Sequence, residues 1–152
     1  MPGGTLSVLI VEDEAILVMD IEAMVEDLGH DVIGDAASYQ EVTEMTFERA
    51  PDLAFVDDQL AQGSSGLDVC RYLGEHWPRT AVVFVTANPK MLPDDFLGAF
   101  GVIPKPFSRA GLLSAMRFLE EGILDPPPTI DAPPCFIPSP RVARDWSAPT
   151  AA

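Results

Sequence analysis

The sequence predicts an α/β domain in which helices cover both faces of a parallel sheet, followed by a proline-rich extension. Three observations lead there. Four short runs, at 8–11, 53–56, 81–85 and 101–103, are apolar throughout, with no polar residue at alternate positions, and strands of that kind are buried on both faces. These runs alternate with stretches whose apolar residues recur at three- and four-residue spacing, the period of a helix packed on one side, and such alternation implies βα units and parallel strands. Near residue 125 the composition changes: the last 28 residues hold eight of the 15 prolines and no glycine.

Residues 8–11 (VLIV) form the first strand and run directly into Glu12, Asp13 and Glu14. The helix that follows carries Leu17, Ile21, Met24 and Leu28 on one face, and Gly29 is placed to cap its C-terminus. A second strand covers about 31–36. Ser38 with Glu41 three residues later makes a capping-box signature for a second helix, predicted to run until just before Pro51. Residues 53–56 (LAFV) are the third strand and lead into Asp57 and Asp58. A loop rich in Gly and Ser precedes a helix from about residue 65 with Val69, Cys70, Leu73 and Trp77 inward. Residues 81–85 (AVVFV) are the fourth strand, ending at Thr86. Pro89 and Pro93 leave room over 88–100 for only a short or late-starting fourth helix. Residues 101–103 form a brief fifth strand before Pro104-Lys105-Pro106-Phe107. Ser108 then caps a last helix with Leu112, Leu113, Met116 and Leu119 on one face.

The chain length of 152 residues suits one domain at 1–124 plus an appendage at 125–152. Asp125 and the three prolines after it end any helix, so the appendage is expected to be an extended tail, with Phe136, Ile137 and Trp146 offering a means of docking on the domain or on a partner. At 47% hydrophobic and 22% charged residues the chain can bury a core. Its 24 acidic residues against nine Lys and Arg give a net charge of −15, which excludes binding to nucleic acid or an anionic membrane through bulk charge. The surplus sits in the first 60 residues, where 15 acids face Arg49 alone. No secretory leader or bilayer-length apolar run is visible, so a soluble, cytoplasmic protein is expected. Cys70 and Cys135 lack the spacing of a metal site or disulfide framework, and Cys70 lies in an apolar helical pattern that makes it a core residue. His30 and His76 stand without partners for a triad or zinc site.

Chemistry in such a sheet belongs at the carboxyl ends of the strands. Those ends offer Glu12 and Asp13 after the first strand, Asp57 and Asp58 after the third, Thr86 after the fourth and Lys105 after the fifth. If the first and third strands are neighbours, their carboxylates come together and repel unless a cation intervenes. A hard divalent ion with oxygen ligands, Mg²⁺ above all, meets that need. The set suits receipt of a phosphoryl group: a carboxylate nucleophile, a metal, a lysine ammonium and a hydroxyl. Asp57, Mg²⁺, Lys105 and Thr86 fill those roles.

The paired acids after the first strand, PDLAFVDDQL at 51–60, VVFVTA at 82–87 and IPKPF at 103–107 together resemble the receiver domain of bacterial two-component response regulators. The resemblance covers residues 6 to about 122. It implies a flavodoxin-like, doubly wound, five-stranded parallel sheet of order 2-1-3-4-5 with five helices. It also implies that Asp57 accepts phosphate from a histidine kinase or histidine phosphotransfer protein. Asp13, Asp57 and the backbone carbonyl of Gln59 would bind Mg²⁺, with Glu12 acting through water, and the Lys105–Pro106 bond would be cis. Three positions depart from the family pattern. Glu12 stands where Asp is commoner, Ala61 where Pro is usual, and Val102 where an aromatic ring usually couples to the hydroxyl of Thr86. Signalling is therefore expected to depend more on the 88–100 segment or the tail.

Asp58 rivals Asp57 as acceptor, but the offset from Pro51-Asp52 favours Asp57 and leaves Asp58 as a solvated or helix-start acid. Asp13 can serve as metal ligand and helix cap at once. The reading is a stand-alone receiver, a monomer or weak homodimer, that signals through a protein partner or drains phosphate as a sink, and catalyses nothing beyond its own phosphorylation and dephosphorylation. The alternative is a degenerate receiver acting as an interaction module without phosphotransfer. A metal-dependent phosphatase of another α/β fold would need an acid two residues after the nucleophile, where Gln59 stands.

Overall fold

The five expected strands all form, each within one residue of its expected bounds. The computed structural model describes residues 4–147. In chain order these form β1 (Ser7–Val11), α1 (Ala15–Asp27), β2 (Asp31–Ala36), α2 (Tyr39–Glu44), β3 (Leu53–Val56), α3 (Gly66–His76), β4 (Ala81–Thr86), β5 (Gly101–Pro104), α4 (Arg109–Leu124), β6 (Ile137–Pro138) and α5 (Pro140–Asp145). The sheet order is β2-β1-β3-β4-β5-β6. The first five strands are parallel, which is the expected doubly wound arrangement. A sixth, β6, comes from the proline-rich extension and pairs antiparallel with β5.

Because side chains alternate across a strand, each apolar run feeds two cores. On one face Val8, Ile10, Leu53, Phe55, Val83 and Ile103 pack under α1 and α4. On the other Leu9, Val11, Ala54, Val56, Phe84 and Val102 pack under α2 and α3. Val102 is fully enclosed there, at 1% exposure.

Two helices depart from expectation. No α-helix forms between β4 and β5. Two single 3₁₀ turns, Pro89–Met91 and Phe96–Gly98, take its place. Pro89 and Pro93 each remove a donor and hold the residue before them out of the helical region. Phe96 and Leu97 adopt left-handed φ values of 56° and 54°, which break any helix outright. The capping box starts α2 as expected, with Ser38 Oγ accepting from the Glu41 N–H at 3.2 Å and the Glu41 carboxylate accepting from the Ala37 N–H at 3.1 Å. The helix then stops at Glu44, well short of Pro51. Met45 and Phe47 turn inward onto the second core, Phe47 meeting Trp77 edge-on at 5.2 Å.

The extension folds back onto the domain. Phe136 lies in the first core at 3% exposure, and Trp146 packs on Phe100 and Phe118 at 5.4 and 5.5 Å. Residues 148–152 of the expected tail lie outside the described residues.

Candidate functional site

The backbone ladder sets the site. Val11 of β1 pairs with Val56 of β3, so the next residues, Glu12 and Asp57, emerge side by side. Each is pinned by a hydrogen bond that extends the ladder one residue past the strand: the Asp57 N–H donates to the Val11 carbonyl and the Glu12 N–H to the Ala36 carbonyl, both at 2.9 Å. On the other side the Lys105 N–H donates to the Thr86 carbonyl at 2.8 Å, and the Lys105–Pro106 bond is cis. Four expected residues from four strands therefore meet at one sheet edge with their backbones fixed.

The side chains converge as well. Lys105 Nζ lies 2.9 Å from Glu12 Oε1 and 3.0 Å from Asp57 Oδ2. Glu12 Oε2 accepts from the Glu14 N–H at 3.2 Å, and Asp57 Oδ1 from the Gln59 N–H at 3.3 Å. The Thr86 hydroxyl, fully buried, accepts from the Asn88 N–H at 2.9 Å, and its own proton faces the Asp58 carboxylate. Asp13 is exposed at the rim and does not cap α1, whose N-cap is Glu14 without a side-chain bond. A cleft of about 380 Å³ opens beside them, lined by Asp13, Asp57, Asp58, Gln59 and Lys105 among others, with Glu12 and Thr86 buried behind its wall.

One lysine does not neutralise this many acids. Burial pushes the Glu12 carboxyl up to about 7; the Lys105 ammonium and the Glu14 N–H pull the other way, and neighbouring Asp57 adds to the rise. Burial works against the Lys105 charge, but the hydrogen bonds to Glu12 and Asp57 outweigh it and hold that ammonium above the usual lysine range. Carboxylate oxygens of Glu12, Asp13 and Asp57 lie within 4.8 Å of one another. An all-oxygen donor set with excess negative charge fits Mg²⁺.

Two residues carry more than the sequence reading gave them. Asp58 is not a solvated acid. It is 7% exposed, and its carboxyl is raised by burial and by adjacent Asp57, against the opposing contact of the Thr86 hydroxyl. The turn into α3 draws it in, since the Asp58 carbonyl accepts from the Gly66 N–H at 2.8 Å. Gly66, at the start of α3, is not among the residues the sequence singles out. A Cβ there would lie 1.9 Å from the Asp57 carbonyl oxygen, so only glycine lets the start of α3 pass beneath the site. A glycine following two serines at a helix start was the available signal, since Ser65 caps α3 through the Leu67 N–H. The two histidines lie away from the cleft: buried His30 accepts from the Leu6 N–H at 2.9 Å, and exposed His76 stacks on Tyr72.

The family model of the response regulator receiver domain matches residues 8–117. The chain belongs to that family. It is 41% identical over 107 residues to the phyllosphere-induced regulator PhyR of Methylorubrum extorquens, covering 69% of this chain and 40% of that protein. Against the transcriptional regulatory protein PdtaR of Mycobacterium tuberculosis it is 30% identical over 112 residues, 72% of this chain and 54% of that one. The receiver spans about half the length, or less, of these curated relatives. Among solved structures, the receiver domain of Erythrobacter litoralis PhyR superposes with a TM-score of 0.68 at 30% identity, covering 84% of this chain and 98% of that one. The family match ends within α4, so β6 and α5 lie beyond it.

Proposed function

We propose that this receiver accepts a phosphoryl group on Asp57 from a phosphohistidine of a histidine kinase or phosphotransfer protein and signals through the surface it then presents, or drains phosphate from its donor. The observation that carries the reading is Lys105 Nζ, poised between Glu12 and Asp57 at 2.9 and 3.0 Å over a cleft open to solvent. An Asp57 carboxylate oxygen attacks phosphorus, the P–N bond breaks, and the imidazole leaves with the electron pair and is protonated. Lys105, already in contact with the acceptor, meets one phosphoryl oxygen, and the Thr86 hydroxyl, exchanging its contact with Asp58, meets another. Mg²⁺, held by Asp13, Asp57 and the Gln59 carbonyl with Glu12 acting through water, would offset charge on the transferring group. Hydrolysis reverses the state: water attacks phosphorus, the bond to Asp57 breaks, and inorganic phosphate leaves.

Ile16 and Met19, at 75% and 67% exposure on α1 just past the acidic rim, offer the donor an apolar contact beside the site. No helix among the described residues is long and apolar enough to cross a membrane, and we place the protein in the cytoplasm with its donor. The test is incubation with acetyl phosphate, with and without Mg²⁺. A hydroxylamine-labile phosphoryl group should appear on the wild type only with metal. An unlabelled wild type would favour the phosphorylation-independent interaction module instead.

A further inference from the structure

The Thr86 hydroxyl does not open onto the cleft that would admit a phosphoryl group. Thr86 is fully buried and takes no part in the cleft lining, whereas Asp58, at 7% exposure, forms part of that wall. The acid therefore stands between the hydroxyl and the cleft. Two polar groups meet the hydroxyl: the Asn88 N–H donates to its oxygen at 2.9 Å, and its own proton faces the Asp58 carboxylate. A hydroxyl has one proton to give. While Asp58 holds it, a phosphoryl oxygen on Asp57 cannot.

The two carboxylates after β3 are satisfied in different ways. Asp57 faces the Lys105 ammonium at 3.0 Å, but Asp58 takes part in no ion pair among the described residues. A buried carboxylate with no cation beside it depends on its hydrogen bonds, and a bond to a charged group is among the stronger ones. Neither backbone is free to relax the contact. The Asp58 carbonyl accepts from the Gly66 N–H at 2.8 Å, the next residue, Gln59, bridges to Ser65, and the Thr86 carbonyl accepts from the Lys105 N–H at 2.8 Å. Release of the hydroxyl is thus a rotation of the Asp58 side chain, with both strand ends left in place.

We propose that Asp58 is a positioning residue that latches the Thr86 hydroxyl in the resting state, and that this hydrogen bond must be given up before Thr86 can meet a phosphoryl oxygen. The proposal rests on Asp57 being the phosphoryl acceptor. Its consequence is a threshold on occupation of the site. If the hydroxyl is released in about one resting chain in ten, the phosphoryl contact it makes is weakened about tenfold, because only the released fraction is competent. Asp58 acts on the phosphoryl group in a second way, as a negative charge beside it, and that repulsion is independent of Thr86.

A double-mutant cycle separates the two effects. Beryllofluoride, which stands in for the phosphoryl group, is titrated with Mg²⁺ into the full chain and its binding followed by fluorine NMR, for wild type, Asp58→Ala, Thr86→Val and the double variant. Removing the charge should tighten binding whether or not the hydroxyl is present. The gain from Asp58→Ala should be about tenfold larger with Thr86 than in the Thr86→Val background. Thr86→Ser, which keeps a hydroxyl, should restore that excess. Asp58→Asn keeps the shape and an acceptor oxygen without the charge, so it should recover only part of the excess, and it serves as the second variant should Asp58→Ala fold poorly. Equal gains with and without the hydroxyl overturn the latch and leave Asp58 as a repelling charge alone. A smaller gain with Thr86 present overturns it as well, since Asp58 would then be aiding the hydroxyl. A folded wild type that binds no beryllofluoride refutes the phosphoryl-acceptor reading itself, and the latch with it.

Discussion

Replacing Glu12 with Gln should stabilise the metal-free protein at neutral and alkaline pH, and by an amount that depends on pH in a defined way. Glu12 is 4% exposed, and burial lifts its carboxyl from the ordinary 4.5 to about 7. Below about pH 4.5 both folded and unfolded chains carry the proton, and Glu12 costs the fold nothing relative to a neutral residue. Between 4.5 and 7 the unfolded chain ionises while the folded chain keeps its proton, so stability falls as pH rises, levelling off above 7 once both are ionised. Each pH unit between the two midpoints is worth ~1.4 kcal/mol, so the full loss is about 3 kcal/mol, with the hydrogen bond to Lys105 already included in the net rise. Glu12→Gln removes that loss and keeps the side chain's shape. Urea denaturation in EDTA from pH 4.5 to 8 should therefore show the variant level with wild type at the acid end and up to about 3 kcal/mol more stable at pH 8. Parallel curves, or a variant less stable at pH 8, would refute the assignment of burial as the dominant influence. Adding Mg²⁺ should restore more stability to wild type than to the variant, since the ion favours the ionised carboxylate.

Other consequences can be checked separately. Gly66→Ala places a Cβ 1.9 Å from the Asp57 carbonyl oxygen, a backbone atom that no rotamer change moves, so stability should fall by about 3 kcal/mol or more and acetyl phosphate labelling should be lost with it; a loss below about 1 kcal/mol would mean the turn yields freely. Phe136→Ala empties a ring position in the first core and should cost about 3–5 kcal/mol in urea, whereas an inert tail would give a change near zero. Cys70, 3% exposed with its thiol pushed by burial to about 11, should remain unmodified by an aromatic disulfide reagent in the native protein at pH 8 and react only on unfolding; rapid native labelling would show that α3 opens locally.

β1, β3, β4 and β5 were legible because a parallel strand buried on both faces leaves an apolar run, whereas the order of the strands came only with the resemblance to the receiver family. The site was legible for the same reason. Glu12, Asp57, Thr86 and Lys105 follow those runs directly, and the ladder carries their backbones one residue further. What escaped depended on contacts distant in sequence. The early end of α2 comes from Met45 and Phe47 finding the second core, which no local pattern announces. Asp58 looked like surface because a second acid after a strand usually is; its burial follows from the Gly66 turn. β6 is two residues long and contains a proline, below the length at which period or propensity speaks. Only its aromatic neighbours, Phe136 and Trp146, hinted that the extension had something to bury.

The central claim is that Asp57, flanked by Glu12 and Lys105, is the phosphoryl acceptor. Borohydride converts an aspartyl phosphate to homoserine, so treating the acetyl phosphate-labelled chain and mapping the product by mass spectrometry reads the acceptor directly. Homoserine at position 57 in the wild type, dependent on Mg²⁺ and absent from Asp57→Asn, is the predicted result. Homoserine at position 58, or none anywhere in a folded wild-type chain, would contradict the account.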